Sequence, residues 1–191
     1  MSSRKEKLII FSAPSGSGKT TLVRHLLKQD IPFGFSISAT SRPPRGHEKD
    51  GVDYYFLSKE AFQKEIAQGS FLEYEEVYPG TFYGTFRSEV DRLQEMGNYV
   101  LFDIDVEGGL AIKKQFSENC LALFIQPPSL EALEQRLRNR GTDTEAKIEE
   151  RLSKAKEELS YAHRFDQIII NNDLATAQKE MVSTVREFLQ Q

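Results

Sequence analysis

The sequence predicts an α/β fold, a mostly parallel five-stranded sheet flanked by helices, with a small mixed-strand insertion. Three observations predict it. Short apolar runs such as Leu8–Phe11 and Leu121–Ile125 alternate with segments of helical periodicity. Those runs lack polar alternation, as expected of strands buried on both faces of a parallel sheet. Residues 34–85 break the rhythm with closely spaced strand patterns, which reads as an insertion over the sheet edge.

The elements follow in order. Leu8–Ser12 reads as a buried strand that runs into a glycine-rich turn and then a helix from about Lys19 to Lys28. Gly34–Thr40, Val52–Leu57 and Phe71–Tyr78 read as strands. Between the last two, Ser58 can cap a helix with Phe62 and Ile66 on one face and Gly69 at its end. A helix near Ser88–Met96 stops at Gly97, and Tyr99–Ile104 follows as a second buried strand. Leu121–Ile125 is the next strand, ended by Pro127-Pro128, after which Ser129 caps a helix through Arg140. Thr142 with Glu145 makes a capping-box signature for a helix whose apolar stripe is Ile148, Leu152, Ala155 and Leu159. Ile168–Ile170 is a last strand, and Leu174–Leu189 a last helix with Met181, Val185 and Phe188 facing inward.

Composition narrows the function classes. The 191 residues are 39% hydrophobic and 28% charged, a folded profile that suits one domain. A net charge of −4 demotes a general nucleic-acid coat protein, and no nucleic-acid partner is expected. No apolar run approaches a membrane span, and no signal-peptide core follows the charged N-terminus, so a cytoplasmic chain is expected. Cys120 is the only cysteine and lies in an apolar run, where an inert buried thiol is expected. His25, His47 and His163 share no ligand spacing, so no histidine metal site is expected.

Ala13-Pro14-Ser15-Gly16-Ser17-Gly18-Lys19-Thr20, followed by Thr21, matches the P-loop pattern with Ala13 in place of its first glycine. Gly16 and Gly18 let backbone N–H groups turn inward around phosphate oxygens, and the helix N-terminus adds partial positive charge. Lys19 can reach the β- and γ-phosphates of a nucleoside triphosphate, and the Thr20 hydroxyl can bind Mg²⁺. Asp103 and Asp105 close a buried strand at the sheet edge where ligands sit in open parallel sheets. Asp103 suits a role in holding Mg²⁺ or its water; a carboxylate capping the next helix is the alternative for both.

Three arginine sets complete the pattern. Ser41-Arg42-Pro43-Pro44-Arg45 puts two guanidinium groups in a proline-stiffened turn suited to bidentate phosphate binding. Arg136 and Arg140 share one helix face, with Arg151 on the helix that follows. Beside a P-loop they suggest two phosphate sites and a cationic lid.

Ala13–Thr20, Ser41–Arg45, Glu73, Tyr83-Gly84, Asp103-Ile104-Asp105-Val106-Glu107-Gly108, the run from Arg136 to Gly141, and Ile170–Asp173 together resemble the guanylate kinase family. The match covers about residues 8–189, in family order. The resemblance implies a P-loop NTPase core (1–33, 86–127 and 163–191), a GMP-binding insertion (34–85) and a helical lid (128–162). It implies that Arg42, Arg45, Tyr54 and Tyr83 hold the GMP phosphate, near Gly84. Ser38, Glu73 and Thr85 would read the guanine, with Asp105 close by. Arg136, Arg140 and Arg151 would close over ATP, with Asn171 near its adenine. The implied activity is Mg²⁺-assisted, ATP-dependent phosphorylation of GMP to GDP, with Lys19 and the arginines as the catalytic charges. Two rivals stand at this stage: a non-catalytic binding module of the same architecture, and a sister P-loop kinase acting on another phosphate ester. Intact Gly16, Gly18, Lys19 and Thr20 weigh against the first, and Glu73 against the second.

Overall fold

The computed structural model describes residues 7–139, 141 and 143–191. Five parallel strands form the central sheet: β1 (Leu8–Ser12), β2 (Phe33–Phe35), β7 (Tyr99–Asp103), β8 (Cys120–Gln126) and β9 (Gln167–Ile170), ordered β2-β7-β1-β8-β9. The strand that feeds the glycine-rich loop is thus in the middle, with β7 and its terminal Asp103 on one flank. Alternate side chains of β1 face opposite layers. Leu8 and Ile10 pack with Val100, Phe102, Ala122 and Phe124 toward α3 (Arg87–Glu95) and α4 (Val106–Phe116). Ile9 and Phe11 pack with Leu101, Leu123 and Ile125 toward α1 (Lys19–Leu26) and α7 (Leu174–Gln190), where Met181, Val185 and Phe188 are buried as predicted. This is the two-sided burial that the unbroken apolar runs require.

A second, mixed sheet is built from β3 (Ala39–Thr40), β4 (Tyr55–Phe56), β5 (Phe71–Tyr78) and β6 (Thr81–Phe86), in the order β4-β3-β6-β5. Its core is aromatic. Phe62 of α2 (Lys59–Ala67) stacks on Phe71 at 4.4 Å and on Phe82 at 5.5 Å. Ser58 caps α2 by accepting from Ala61 N, and Gly69 ends it at φ +70°. Helices α5 (Leu130–Asn139) and α6 (Glu145–Ser160) bury Leu133 and Leu137 against Ile148 and Ala155, with Leu152 partly covered.

Four predicted elements differ from the structure. Gly34–Thr40 is two strands, because Ser36 N still bonds Leu101 O of the central sheet while Ser38 O already accepts from Tyr55 N of the second. Val52–Leu57 shortens to Tyr55–Phe56, since residues 50–54 form a turn closed by Gly51 N on Tyr54 O. The cap of α6 is Thr144, which accepts from Lys147 N; Thr142 and Arg140 lie outside the described residues. Leu159 turns from the α5–α6 core to the central one. One element was not anticipated, and another was expected only as the next helix that Asp103 or Asp105 would cap. β6 completes a hairpin with β5, and α4 contains Gly108 and Gly109, which lower helix propensity. Gly109 is explained by contact: a Cβ there would meet Ser12 Oγ at 2.9 Å and Ile10 Cγ2 at 3.0 Å.

Cys120 opens β8 with 1% of its surface exposed, and burial pushes its thiol up to about 12.

Candidate functional site

Between β1 and α1 the loop Ala13–Gly18 curls with Gly16 at φ +99° and Gly18 at φ +91°, backbone angles that side chains disfavour. A Cβ on Gly18 would also stand 2.3 Å from Asn171 Nδ2. That amide belongs to the loop's support: Asn171 Nδ2 donates to Ser17 O at 2.7 Å, and Asn171 O accepts from Arg136 Nη2 at 2.7 Å. Ser12 fixes the strand end, its hydroxyl within reach of the carbonyls of Ile104 (2.9 Å) and Asp105 (3.0 Å). Lys19 forms an ion pair with Asp103, and Thr20 and Thr21 lie exposed on the first turn of α1. Asp105 caps α4 by accepting from Gly108 N at 2.9 Å, so the helix-cap alternative holds for it even as it lines the cleft.

The loop forms one wall of a cleft of about 1200 Å³. The second sheet forms the opposite wall with Ser38, Arg45, Tyr54, Glu73, Tyr83 and Gly84, and α6 roofs it with Arg151. Arg42 sits behind this wall, 8% exposed. Its Nε donates to Tyr83 Oη (2.9 Å), Nη1 to Pro43 O (3.0 Å) and Glu48 Oε2 (2.6 Å), and Nη2 to Glu48 Oε1 (2.9 Å). Those bonds engage all but one of the guanidinium N–H groups, leaving a single one on Nη2. The rings of Tyr54 (4.9 Å) and Phe56 (5.7 Å) lie against it. Glu48 also accepts from Arg45 N at 2.8 Å, and its bond to Arg42 holds its carboxyl down to about 2. The same bond raises Arg42 above its ordinary value.

Glu73 of β5 pairs in register with Thr85 of β6 and is 8% exposed. Neither Glu73 Oε1 nor Thr85 Oγ1 has a hydrogen-bond partner in place. Burial pushes the Glu73 carboxyl up to about 7; the adjacent Thr85 works against this, and the Asp105 charge adds to it. Gly84 permits this pairing, since a Cβ there would meet Glu73 O at 2.8 Å. Burial also pushes Glu75 and Glu158 up to about 7 within the same cleft.

A smaller pocket of about 220 Å³ opens on the other flank of the loop, lined by Gly16, Gly18, Thr21, Arg136 and Asn171. Arg136 and Arg151 therefore approach the loop from two sides. Arg151 Nη1 donates to Ser15 Oγ, while its Nε stands 3.2 Å from Asp143 Oδ2. Arg140 lies outside the described residues. Sequence reasoning missed Glu48, which ties both arginines of the turn. It also missed Glu75, Lys154 and Glu158 in the cleft. Only the strand period could have flagged one of them, since Glu75 shares a face with Glu73.

With this geometry in view, comparison with known proteins is specific. The guanylate kinase family model matches residues 5–189. A guanylate kinase of Bacteroides fragilis is 55% identical over 183 residues, covering 96% of this chain and 90% of that protein. A guanylate kinase of Porphyromonas gingivalis is 48% identical, covering 96% and 98%. Among solved structures, a guanylate kinase from Anaplasma phagocytophilum superposes with a TM-score of 0.77 at 29% identity, covering 97% of this chain and 87% of that one. With the family model matching residues 5–189 and a relative 55% identical over 96% of the chain, the chain belongs to the guanylate kinase family.

Proposed function

We propose that the chain catalyses ATP + GMP ⇌ ADP + GDP. The observation that carries this is Glu73, a buried carboxylate whose Oε1 has no hydrogen-bond partner among the described residues, across one cleft from a P-loop. Guanine offers N1–H and an N2 amino group side by side, which a carboxylate can accept together; adenine presents an acceptor at N1 and is repelled. Sites that bond a specific substrate group reject analogues lacking it by roughly 10⁴–10⁵.

In this reading Lys19 and the loop N–H groups hold the β- and γ-phosphates, and Arg42, Arg45, Tyr54 and Tyr83 hold the GMP phosphate. Ser38, Glu73 and Thr85 read the base, with Asp105 beside them. An oxygen of the GMP phosphate attacks the γ-phosphorus as the bond to the β–γ bridging oxygen breaks. No base is needed, because that oxygen is already anionic. Arg136, Arg140 and Arg151 stabilise the charge in flight, so positioning and electrostatics supply the rate. The Thr20 hydroxyl and Asp103 suit Mg²⁺, which takes few protein oxygens and completes its shell from phosphates and water. When bound, it neutralises charge on the β- and γ-oxygens.

The division into core (1–33, 86–127, 163–191), GMP-binding insertion (34–85) and lid (128–162) is retained as part of this proposal, with ATP and GMP as the partners. No helix among the described residues is long and apolar enough to cross a membrane, and a cytoplasmic location is proposed. The test is ADP release from Mg-ATP with GMP, AMP, CMP and UMP in turn. Turnover with GMP alone is expected; none with GMP, or equal turnover with AMP, overturns the reading.

A further inference from the structure

The chain passes between its two sheets at Ser36–Ser38, and a single side chain outside the cleft grips that crossing. Glu89, in the first turn of α3, is 3% exposed, yet every acceptor position on its carboxylate is in use. Oε1 accepts from Ile37 N at 3.3 Å and from Arg92 Nη2 at 2.9 Å. Oε2 accepts from Tyr55 Oη at 3.0 Å and from Arg92 Nε at 3.0 Å. A buried carboxylate is costly unless it is paired and fully bonded, so this one is held where it is by all of these groups at once.

The three segments joined here belong to different bodies. Helix α3 packs Val90 and Leu93 against Val100 and Phe102 of the central sheet. Ile37 lies in the crossing itself. Tyr55 belongs to β4 of the second sheet, its N bonded to Ser38 O and its ring against Phe86 at 5.9 Å. Strand alternation gives Tyr55 its leverage: with Tyr55 turned to Glu89, its neighbour Tyr54 faces the other way, against Arg42. Whatever fixes Tyr55 on the helix side therefore fixes the acceptor side of the cleft relative to the phosphate loop.

The geometry points to Glu89 and Tyr55 as positioning residues for phosphoryl transfer: their bond, with that to Ile37 N, sets the second sheet at the angle and distance that put acceptor and donor phosphates in line. Neither residue touches substrate in this scheme. Most GMP contacts lie on the second sheet, with Ser38 in the crossing and Asp105 on the core, while the ATP contacts lie on the phosphate loop, α5 and α6; binding of either alone therefore depends on the clasp far less than the reaction, which requires the second sheet and the loop in register. Misplacement of about 1 Å by a change remote from the chemistry can cost on the order of 10²-fold in rate.

This inference rests on the proposed GMP phosphorylation, and the experiment separates the two. Turnover of GMP by the unsubstituted protein is measured first; its absence removes the proposed function and not the clasp as a structural contact. Tyr55→Phe, which deletes one hydroxyl and keeps the ring, and Glu89→Gln are then compared with it for kcat, for Kd of GMP alone and of ATP alone by calorimetry, and for Tm. The expected result is a fall in kcat of about tenfold or more in both variants, with each Kd within about twofold. A merely structural role lowers Tm and leaves kcat of the folded protein unchanged, and that result overturns the inference. So does a kcat loss matched by an equal weakening of GMP binding. Tyr55→Phe removes no buried charge and keeps the test decisive if Glu89→Gln fails to fold.

Discussion

The buried carboxylate of Glu73 makes base recognition depend on pH. Burial raises its pKa to about 7, so in mildly acidic solution the free protein carries a neutral acid where the guanine N1–H needs an acceptor. The KM for GMP is expected to fall as pH rises from about 6 to about 8. The acceptor phosphate titrates near pH 6 as well, so the measurement that counts is the difference from Glu73→Gln, in which this component vanishes. In that variant KM for GMP rises roughly 10- to 100-fold, because the amide NH2 cannot accept and strands one of the two guanine donors at a cost of about 1–3 kcal/mol. An unchanged KM removes Glu73 from the base site. The raised pKa also means that the unliganded fold loses stability as pH climbs from the carboxyl's ordinary range through about 7. Glu73 was legible because motif order and family likeness single it out beside Glu75 and Glu76. Glu48 and Glu89 were not, since a solvated carboxylate and one that closes on an arginine or a tyrosine look alike in a sequence. Glu48 meets Arg42 only because the turn between them folds back, and Glu89 meets Ile37 N by tertiary approach from 52 positions away.

Among elements, the end of β9 carries more of the phosphate loop than its length suggests. Asn171 N bonds Gln126 O of β8, its carbonyl accepts from Arg136 of α5, and its side-chain amide holds Ser17 O. Asn171→Ala strands the Ser17 carbonyl at a cost of about 1–3 kcal/mol. Thermal unfolding should show a Tm lower by about 2–4 °C per kcal/mol for a chain of this size. KM for ATP is expected to rise while KM for GMP holds; equal changes in both would detach Asn171 from the loop. Buried strands and capped helices could be read directly, because their burial repeats locally and their caps lie within a few residues. Helix α4 could not. Its glycines argue against a helix until the closeness of Ser12 and Ile10 is known, and that closeness is a property of packing. β6 escaped for a related reason: its register with β5 shifts twice, blurring the alternation that marks a strand.

The whole molecule is a central sheet with two appendages that meet over one cleft, and nothing local in the chain dictates the order β2-β7-β1-β8-β9. That order pairs strands far apart in sequence, joined by crossover connections. It leaves the C-terminal edge of the sheet facing a cleft that both the second sheet and α6 line. Ligand-bridged closure of both appendages is expected. Solution scattering should give a smaller radius of gyration with a linked ATP–GMP analogue than with either nucleotide alone, and identical curves would oppose closure.

One quiet feature makes such motions visible. The single thiol of the chain is shielded within β8, and with its pKa near 12 almost none of it is present as thiolate at neutral pH. Maleimide dyes therefore pass it by. Gln63→Cys on α2 and Lys156→Cys on α6, both at exposed positions, can carry a fluorescent pair on the two appendages with the native cysteine left in place. Closure then becomes a colour change that single molecules can report turnover by turnover.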